Sequence, residues 1–313
     1  MTQIPGAGDC PPETTADARA GIYGVVLLDK EAGCTSFQAL SGLKHKLGTG
    51  RIGHAGTLDK FAEGLLIVLV GRCTRLVPLF QGLDKEYVAR IRFGVETDTL
   101  DPEGEVVAEG PVPERKIILE ALPALTGEIL QTPPAYSAVH VQGSRASKLA
   151  RRGMTPEIAP RTVRIHGIEP IGYDAPELTI RVSCSKGTYI RSLARDLALL
   201  CGSRAHVTGL RRTAIGPFRV ENAVKDRDFE RTRDLRSPSL LGSIGGAWTC
   251  LTAKTAFVPL IRKGIPFREE FLLEPAGGEG SCGLFSQDGE LLALLERDGS
   301  GFRYAAVFPE GPS

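Results

Sequence analysis

The stretch Arg51 to Leu66, RIGHAGTLDKFAEGLL, gathers side chains that could do chemistry. Its first carboxylate, Asp59, follows Gly50, Gly53 and Gly56, with His54 among them, and the apolar run Leu65 to Val70 comes shortly after. Glycine lets a backbone approach a bulky ligand and take up φ > 0. A carboxylate on such a loop, anchored by a buried strand, is placed to act as nucleophile or base on something large. Alone, G-x-L-D would be an ordinary surface turn, so the reading depends on the rest of the chain. Gly48, Gly50 and Gly53 also spell G-x-G-x-x-G. A dinucleotide site needs that pattern after a strand, at the start of a helix, with an acid about twenty residues on. Here the glycines follow a helical pattern and lead into a polar loop, so that reading is excluded.

The neighbouring elements follow from periodicity. Gly21 to Leu28 reads as a buried strand ending at Asp29-Lys30. Thr35 and Gln38 form a capping box, and Phe37, Leu40, Leu43 and Leu47 make one apolar helix face. Lys85 to Phe93 alternates as a strand, with Tyr87, Ala89, Ile91 and Phe93 on one side. Glu114 to Leu125 reads as a helix, and Thr162 to Tyr173 and Leu178 to Cys184 as strands. A further helix begins with Thr188 as N-cap; Ile190, Leu193, Ala194, Leu197 and Cys201 form its buried stripe, with Arg191 and Arg195 opposite and Gly202 as its stop. Ala205 to Val220 reads as two strands around Arg211-Arg212. From about Leu235 the texture turns to Ser, Pro and Gly. Thr249 to Pro309 then reads as a small β-rich domain with Asp-Gly turns at 288–289 and 298–299.

Composition excludes several classes. The longest clean apolar run is far too short to span a bilayer. Residues 1–20 lack the basic start and apolar core of a signal peptide and read as a disordered tail. Seven scattered cysteines without C-x-x-C point to reduced thiols in a cytoplasmic protein, not to disulfides or zinc. The net charge of +1 hides segregation. His140 to Arg164 carries six Lys/Arg against one acid, and Cys184 to Arg219 seven against one. Val95 to Glu128 carries nine acids against two bases. Concentrated basic segments suit a polyanion partner.

GHAGTLDKFAEGLL (53–66), KEY (85–87) and CSKGTYIRSLARDL (184–197), with GVVLLDK (24–30) and YSAVHVQG (136–143), closely resemble the TruB-type tRNA pseudouridine synthases. The resemblance covers roughly residues 21 to 220. It implies an α+β pseudouridine-synthase fold: a mixed β-sheet with flanking helices and a central cleft over 21–235, then a small PUA-like β domain over 236–313. It implies isomerisation of uridine 55 in the T-loop of tRNA, with no cofactor or metal and a monomer as the working unit. Asp59 takes the family's catalytic position, Arg191 the place of its positioned guanidinium, and Tyr87 that of its active-site tyrosine. The target base must be flipped out of its loop. By the same resemblance His54 fills the space the base leaves, Lys30 lies near the pocket and Tyr189 closes its wall. Residues 136–164 correspond to an RNA-clasping insertion, with Arg145, Lys148, Arg151 and Arg152 on phosphates.

Three positions depart from the family pattern: Lys60 and Phe61 stand where Pro and Leu are usual, and Glu31 where Pro follows Asp-Lys. Lys60 is expected to keep the loop basic. The rivals are an RNA-folding factor in which catalysis is dispensable, a guide-RNA-dependent relative, and a glycoside hydrolase. The last lacks the second catalytic acid it needs.

Overall fold

The computed structural model describes residues 22–141, 143–244, 248–276, 281–299 and 301–308. The main sheet is built from β1 (Gly24–Lys30), β2 (Ile52–His54), β3 (Glu63–Val70), β4 (Lys85–Phe93), β7 (Gly127–Gln131), β10 (Arg161–Asp174), β11 (Glu177–Cys184), β12 (Ala205–Ile215) and β13 (Phe218–Arg219). Its order is β1-β3-β12-β4-β11-β10-β7, with β2 on β3 and β13 on β12. The sheet is mixed: β12 runs parallel to β3, while the other pairs are antiparallel. Two small ladders stand beside it, β5 (Val95–Thr97) with β6 (Val106–Glu109), and β8 (His140–Val141) with β9 (Ser144–Arg145). The helices are α1 (Ser36–Leu47), α2 (Val77–Gly82), α3 (Arg115–Ala121), α4 (Ala146–Ala150) and α5 (Ile190–Leu200), with α6 (Arg231–Asp234) and α7 (Val258–Arg262) further on.

The apolar run in β3 is explained by what covers it. Leu65, Ile67 and Leu69 face one core with Val25 and Leu27 of β1, while Leu66, Val68 and Val70 face another with Val26 and Leu28. A strand buried on both faces loses polar alternation. Helix α1 closes one side. On the other, Trp248, Phe285, Leu291 and Phe308 share the core of the main sheet. They belong to or adjoin a four-stranded sheet of β14 (Trp248–Thr252), β15 (Ser281–Phe285), β16 (Leu291–Asp298) and β17 (Gly301–Val307). Helix α5 and α3 pack on the far half of the main sheet, over Tyr87, Ala89, Ile91 and Phe93.

Four expectations are corrected. Phe37 is 67% exposed, with Lys44 Nζ 4.5 Å from its ring centre. Ser36 turns inward instead, beside Leu40, Leu43 and Leu47. Thr188 does not cap α5: its hydroxyl donates to the Ser185 carbonyl at 3.0 Å, and Tyr189 is the N-cap, without a side-chain bond. Arg211-Arg212 does not separate two strands but lies within β12, because Arg212 finds buried carbonyl acceptors. Cys250 is disulfide-bonded, against the expectation of seven thiols, while Cys34, Cys73, Cys184, Cys201 and Cys282 are free. Folding can bring together cysteines whose sequence spacing shows no pattern. Among the described residues no helix is long and apolar enough to cross a membrane.

Candidate active site

Asp59 sits on the loop between β2 and β3, and the loop is fastened from several sides. The Ser36 hydroxyl at the start of α1 donates to the Leu58 carbonyl at 3.0 Å and accepts from its N–H at 2.9 Å. The Gly33 N–H reaches the Lys60 carbonyl at 2.8 Å. Gly56 has φ +100° and gives its carbonyl to Arg212 Nη2 at 3.0 Å. Gly50 and Gly53 do not take positive φ, so of the three loop glycines only Gly56 uses that freedom. α1 is held by the capping box of Thr35 and Gln38.

The first turn of α5 delivers Arg191, whose side chain is only 3% exposed. It does not share an open helix face with Arg195 but points into the site. Its Nε lies 2.9 Å from Asp59 Oδ2, and Nη2 donates to Asp59 Oδ1 at 3.2 Å. The other edge of the fork is also used. Nη1 donates to the Thr99 carbonyl at 2.7 Å and lies 3.3 Å from Asp101 Oδ2, and Nη2 donates to the Tyr136 carbonyl at 2.9 Å. A planar guanidinium can meet all of these at once, which a lysine cannot. Arg195 turns aside to Asp196 and the Thr132 carbonyl.

Asp59 keeps 38% of its side chain open to solvent. Crowding by protein raises its pKa above the ordinary carboxylate value; Arg191 pulls it down, and Asp101 pushes it up. The pairing with Arg191 orients it and favours its ionised form. Asp101 is in turn held by Thr99 Oγ1 at 2.6 Å and the Glu103 N–H at 3.0 Å. Its turn contains Leu100 at φ +60°, the one non-glycine residue with positive φ among those described. In the sequence Asp101 is one of the nine acids between Val95 and Glu128, and no periodicity marks it.

Tyr87 lies on the core face of β4, nearly buried. Burial pushes its hydroxyl pKa up, while the charge of Arg212 draws it back. Asp59 is close enough to act on it electrostatically. Lys30, at the end of β1, is buried and donates to the carbonyls of Cys34 at 2.7 Å and Glu31 at 3.1 Å. Burial lowers its pKa, and Asp59 raises it. His54 is half-buried on β2; burial and then the Arg212 charge lower its pKa, so it is neutral at pH 7. Asp59, Arg191, Tyr87, Lys30 and His54 therefore form one cluster, with Asp101 and Arg212 as members the sequence reading lacked.

Tyr189 and the clasp cations stand apart from this cluster in the contacts of the described residues. The Tyr189 N–H donates to Gln131 Oε1 at 2.8 Å, and Arg161 lies over its ring at 4.9 Å. Arg145, Lys148, Arg151 and Arg152 are all exposed on and beside α4. The SAVHV segment is strand only at His140–Val141. Lys60 does not leave the loop basic, since it pairs with Glu103 at 2.9 Å. Phe61 packs against the core beneath α5, and Glu31 pairs with Lys225 and Arg227. Among the described residues no group of three His, Cys, Asp or Glu side chains could hold a metal ion.

A carboxylate fixed by a guanidinium and open to solvent thus stands with a buried tyrosine and a neutral histidine on a mixed sheet. Residues 44–190 match the TruB family pseudouridylate synthase N-terminal domain, and residues 191–236 match the tRNA pseudouridylate synthase B C-terminal domain. The boundary between the two falls inside α5, next to Arg191. A protein of Borreliella burgdorferi named tRNA pseudouridine synthase B is 50% identical over 289 residues, covering 91% of this chain and 99% of its own. One of the same name from Aromatoleum aromaticum is 41% identical over 286 residues, with 90% of each chain covered. A chain in the crystal structure of the archaeal box H/ACA sRNP Nop10-Cbf5 complex shares the fold, with a TM-score of 0.69 at 24% identity over 96% of this chain and 95% of that one. This chain belongs to the TruB family of pseudouridylate synthases.

Proposed function

We propose that this protein isomerises uridine 55 in the T-loop of tRNA to pseudouridine, with Asp59 as the essential carboxylate. The observation that carries the reading is the Asp59–Arg191 pair, held from behind by Asp101 in a chain of this family. Relatives 41–50% identical over about nine-tenths of the chain bear the name of a tRNA-modifying enzyme.

In the reaction the C1′–N1 bond breaks, the uracil turns, and a C1′–C5 bond forms. The hydrogen leaves C5 and N1 gains a proton, so atoms balance without oxidant, reductant or water as reactant. The flipped base enters beside Asp59. The carboxylate serves attack at C1′, addition to the ring, or removal of the 2′ proton; all three need it ionised and aimed, which is Arg191's task. Tyr87 stacks on the base and assists loss of the C5 proton. Neutral His54 occupies the gap the base leaves, Lys30 supports the pocket floor, and Tyr189 forms part of its wall.

Residues 136–164 act as the clasp on the T-arm, with Arg145, Lys148, Arg151 and Arg152 on phosphates. Residues 21–235 form the catalytic unit and 236–313 the PUA-like unit of a cytoplasmic monomer. The test is to incubate the protein with unmodified tRNA and map pseudouridine by carbodiimide-dependent reverse-transcription stops. A stop at position 55 is expected. Tight binding with no T-loop stop would leave a tRNA-folding role and remove the isomerase.

A further inference from the structure

Arg212 is 1% exposed, yet its hydrogen-bond partners among the described residues are neutral. Nε donates to the Leu65 carbonyl at 2.7 Å and Nη2 donates to the Gly56 carbonyl at 3.0 Å. Tyr87 and Arg212 are directly opposed in the β4–β12 ladder, so their side chains share the core face. The backbone around Arg212 is equally constrained. It pairs with Gly64 of β3, where φ is +103° and an added Cβ would lie 2.3 Å from the Arg212 carbonyl oxygen. A buried guanidinium without a carboxylate partner is costly, and an apolar side chain of similar volume would avoid that cost. This one stands where the Asp59 loop, β3 and Tyr87 meet.

We propose that Arg212 is a positioning residue for the isomerisation, fixing the Asp59 loop at both ends through one planar fork and setting its charge beside Tyr87, its cross-strand partner. The inference rests on the pseudouridine synthase reading above. The guanidinium fixes the loop at Gly56, three residues before Asp59, and at Leu65 beyond it, so both ends of the catalytic loop hang on one rigid group. The same charge eases the penalty burial places on the tyrosinate and disfavours a second cation at His54. Lysine cannot reproduce the geometry, because its ammonium is a point charge on a flexible stem.

The test uses the full chain labelled with carbon-13 at the tyrosine Cζ, whose shift reports the charge and hydrogen bonding around the hydroxyl. The chain has six tyrosines, and the Tyr87 resonance is the one missing from Tyr87→Phe. Arg212→Gln should move that resonance and lower single-turnover pseudouridine formation on the order of a hundredfold. Binding of tRNA should stay unchanged. Arg212→Lys should recover part of the rate, and it carries the same test if the glutamine variant does not fold. In a Tyr87→Phe background, Arg212→Lys should cost much less than in the wild type, since coupled residues are not additive. An unmoved Tyr87 resonance, a full-rate Arg212→Gln, or full additivity with Tyr87→Phe would overturn the proposal. A wild-type protein inactive on tRNA would instead sink the substrate reading, and the resonance shift would still decide whether the Arg212 charge acts on Tyr87.

Discussion

Arg191 grips Asp59 along one edge of its guanidinium, with Nε 2.9 Å from Oδ2 and Nη2 3.2 Å from Oδ1, and faces Asp101 with Nη1, 3.3 Å from Oδ2. One buried cation is shared by two carboxylates of different exposure. Asp101 is buried and bonded by Thr99 and Glu103, so it anchors; Asp59 reaches solvent, so it is the one available to a substrate.

That division of labour predicts an order of severity. Arg191→Lys keeps the charge and loses the fork, and should lower turnover on the order of a hundredfold with little change in tRNA affinity. Asp101→Asn should lower turnover less, because the amide oxygen can still accept from Thr99 and Glu103. Single-turnover rates beside filter binding check the order. A larger loss from Asp101→Asn than from Arg191→Lys would reverse the assignment of anchor and working carboxylate.

Ser36 predicts a stability effect. Its hydroxyl satisfies both main-chain groups of Leu58, and all three are buried. Ser36→Ala leaves a buried donor and acceptor unpaired and should destabilise the protein by about 1–3 kcal/mol. The loop before Asp59 should loosen with it, so turnover falls too. Urea unfolding at a common slope measures the first effect. A variant as stable as wild type would mean that the Ser36–Leu58 clamp contributes nothing.

His54 predicts a pH dependence with a definite sign. Burial lowers its folded-state pKa below the ordinary 6.5, so the unfolded chain binds the proton more readily. Stability from this group is therefore fully present above 6.5 and falls as pH drops toward the folded value. Between about pH 7.5 and about pH 5.5 the wild type should lose more stability than His54→Gln. Equal losses in the two proteins would show that the imidazole is not held neutral.

The clasp predicts a salt effect. Replacing Arg145, Lys148, Arg151 and Arg152 by Ala should weaken tRNA binding and leave turnover of saturating substrate far less affected. Each lost phosphate contact should flatten the log–log salt dependence of binding by about 0.7–0.9. An unchanged slope removes these side chains from the phosphate contacts.

What was legible in the sequence was whatever leaves a local trace. The capping box at Thr35 and Gln38, the alternation of β4 and the strand from Leu178 to Cys184 all hold in the structure. The union of Asp59 with Arg191, 132 residues apart, has no local trace and was reached through the family's motifs. Ser36 was hidden because Phe37 completes the apolar stripe better than a serine does. Hydrogen bonding to Leu58 decides the rotation of that first turn, and no hydrophobic count contains it. Arg212 was hidden for the opposite reason: two adjacent arginines look like a break between strands, yet one is wholly buried and its neighbour Arg211 reaches Asp29 and Glu63. Asp101 was hidden in a run of acids, most of which are solvated.

The most direct measurement is single-turnover tritium release from 5-tritiated uridine in tRNA by Asp59→Asn, with binding measured on the same preparation. Asparagine keeps the shape but is neither a carboxylate nucleophile nor an effective base. Release should be abolished while tRNA binding persists or tightens slightly, because a negative charge facing RNA has gone. Substantial release by Asp59→Asn, once contaminating wild-type enzyme is excluded, would show that Asp59 is not the catalytic carboxylate.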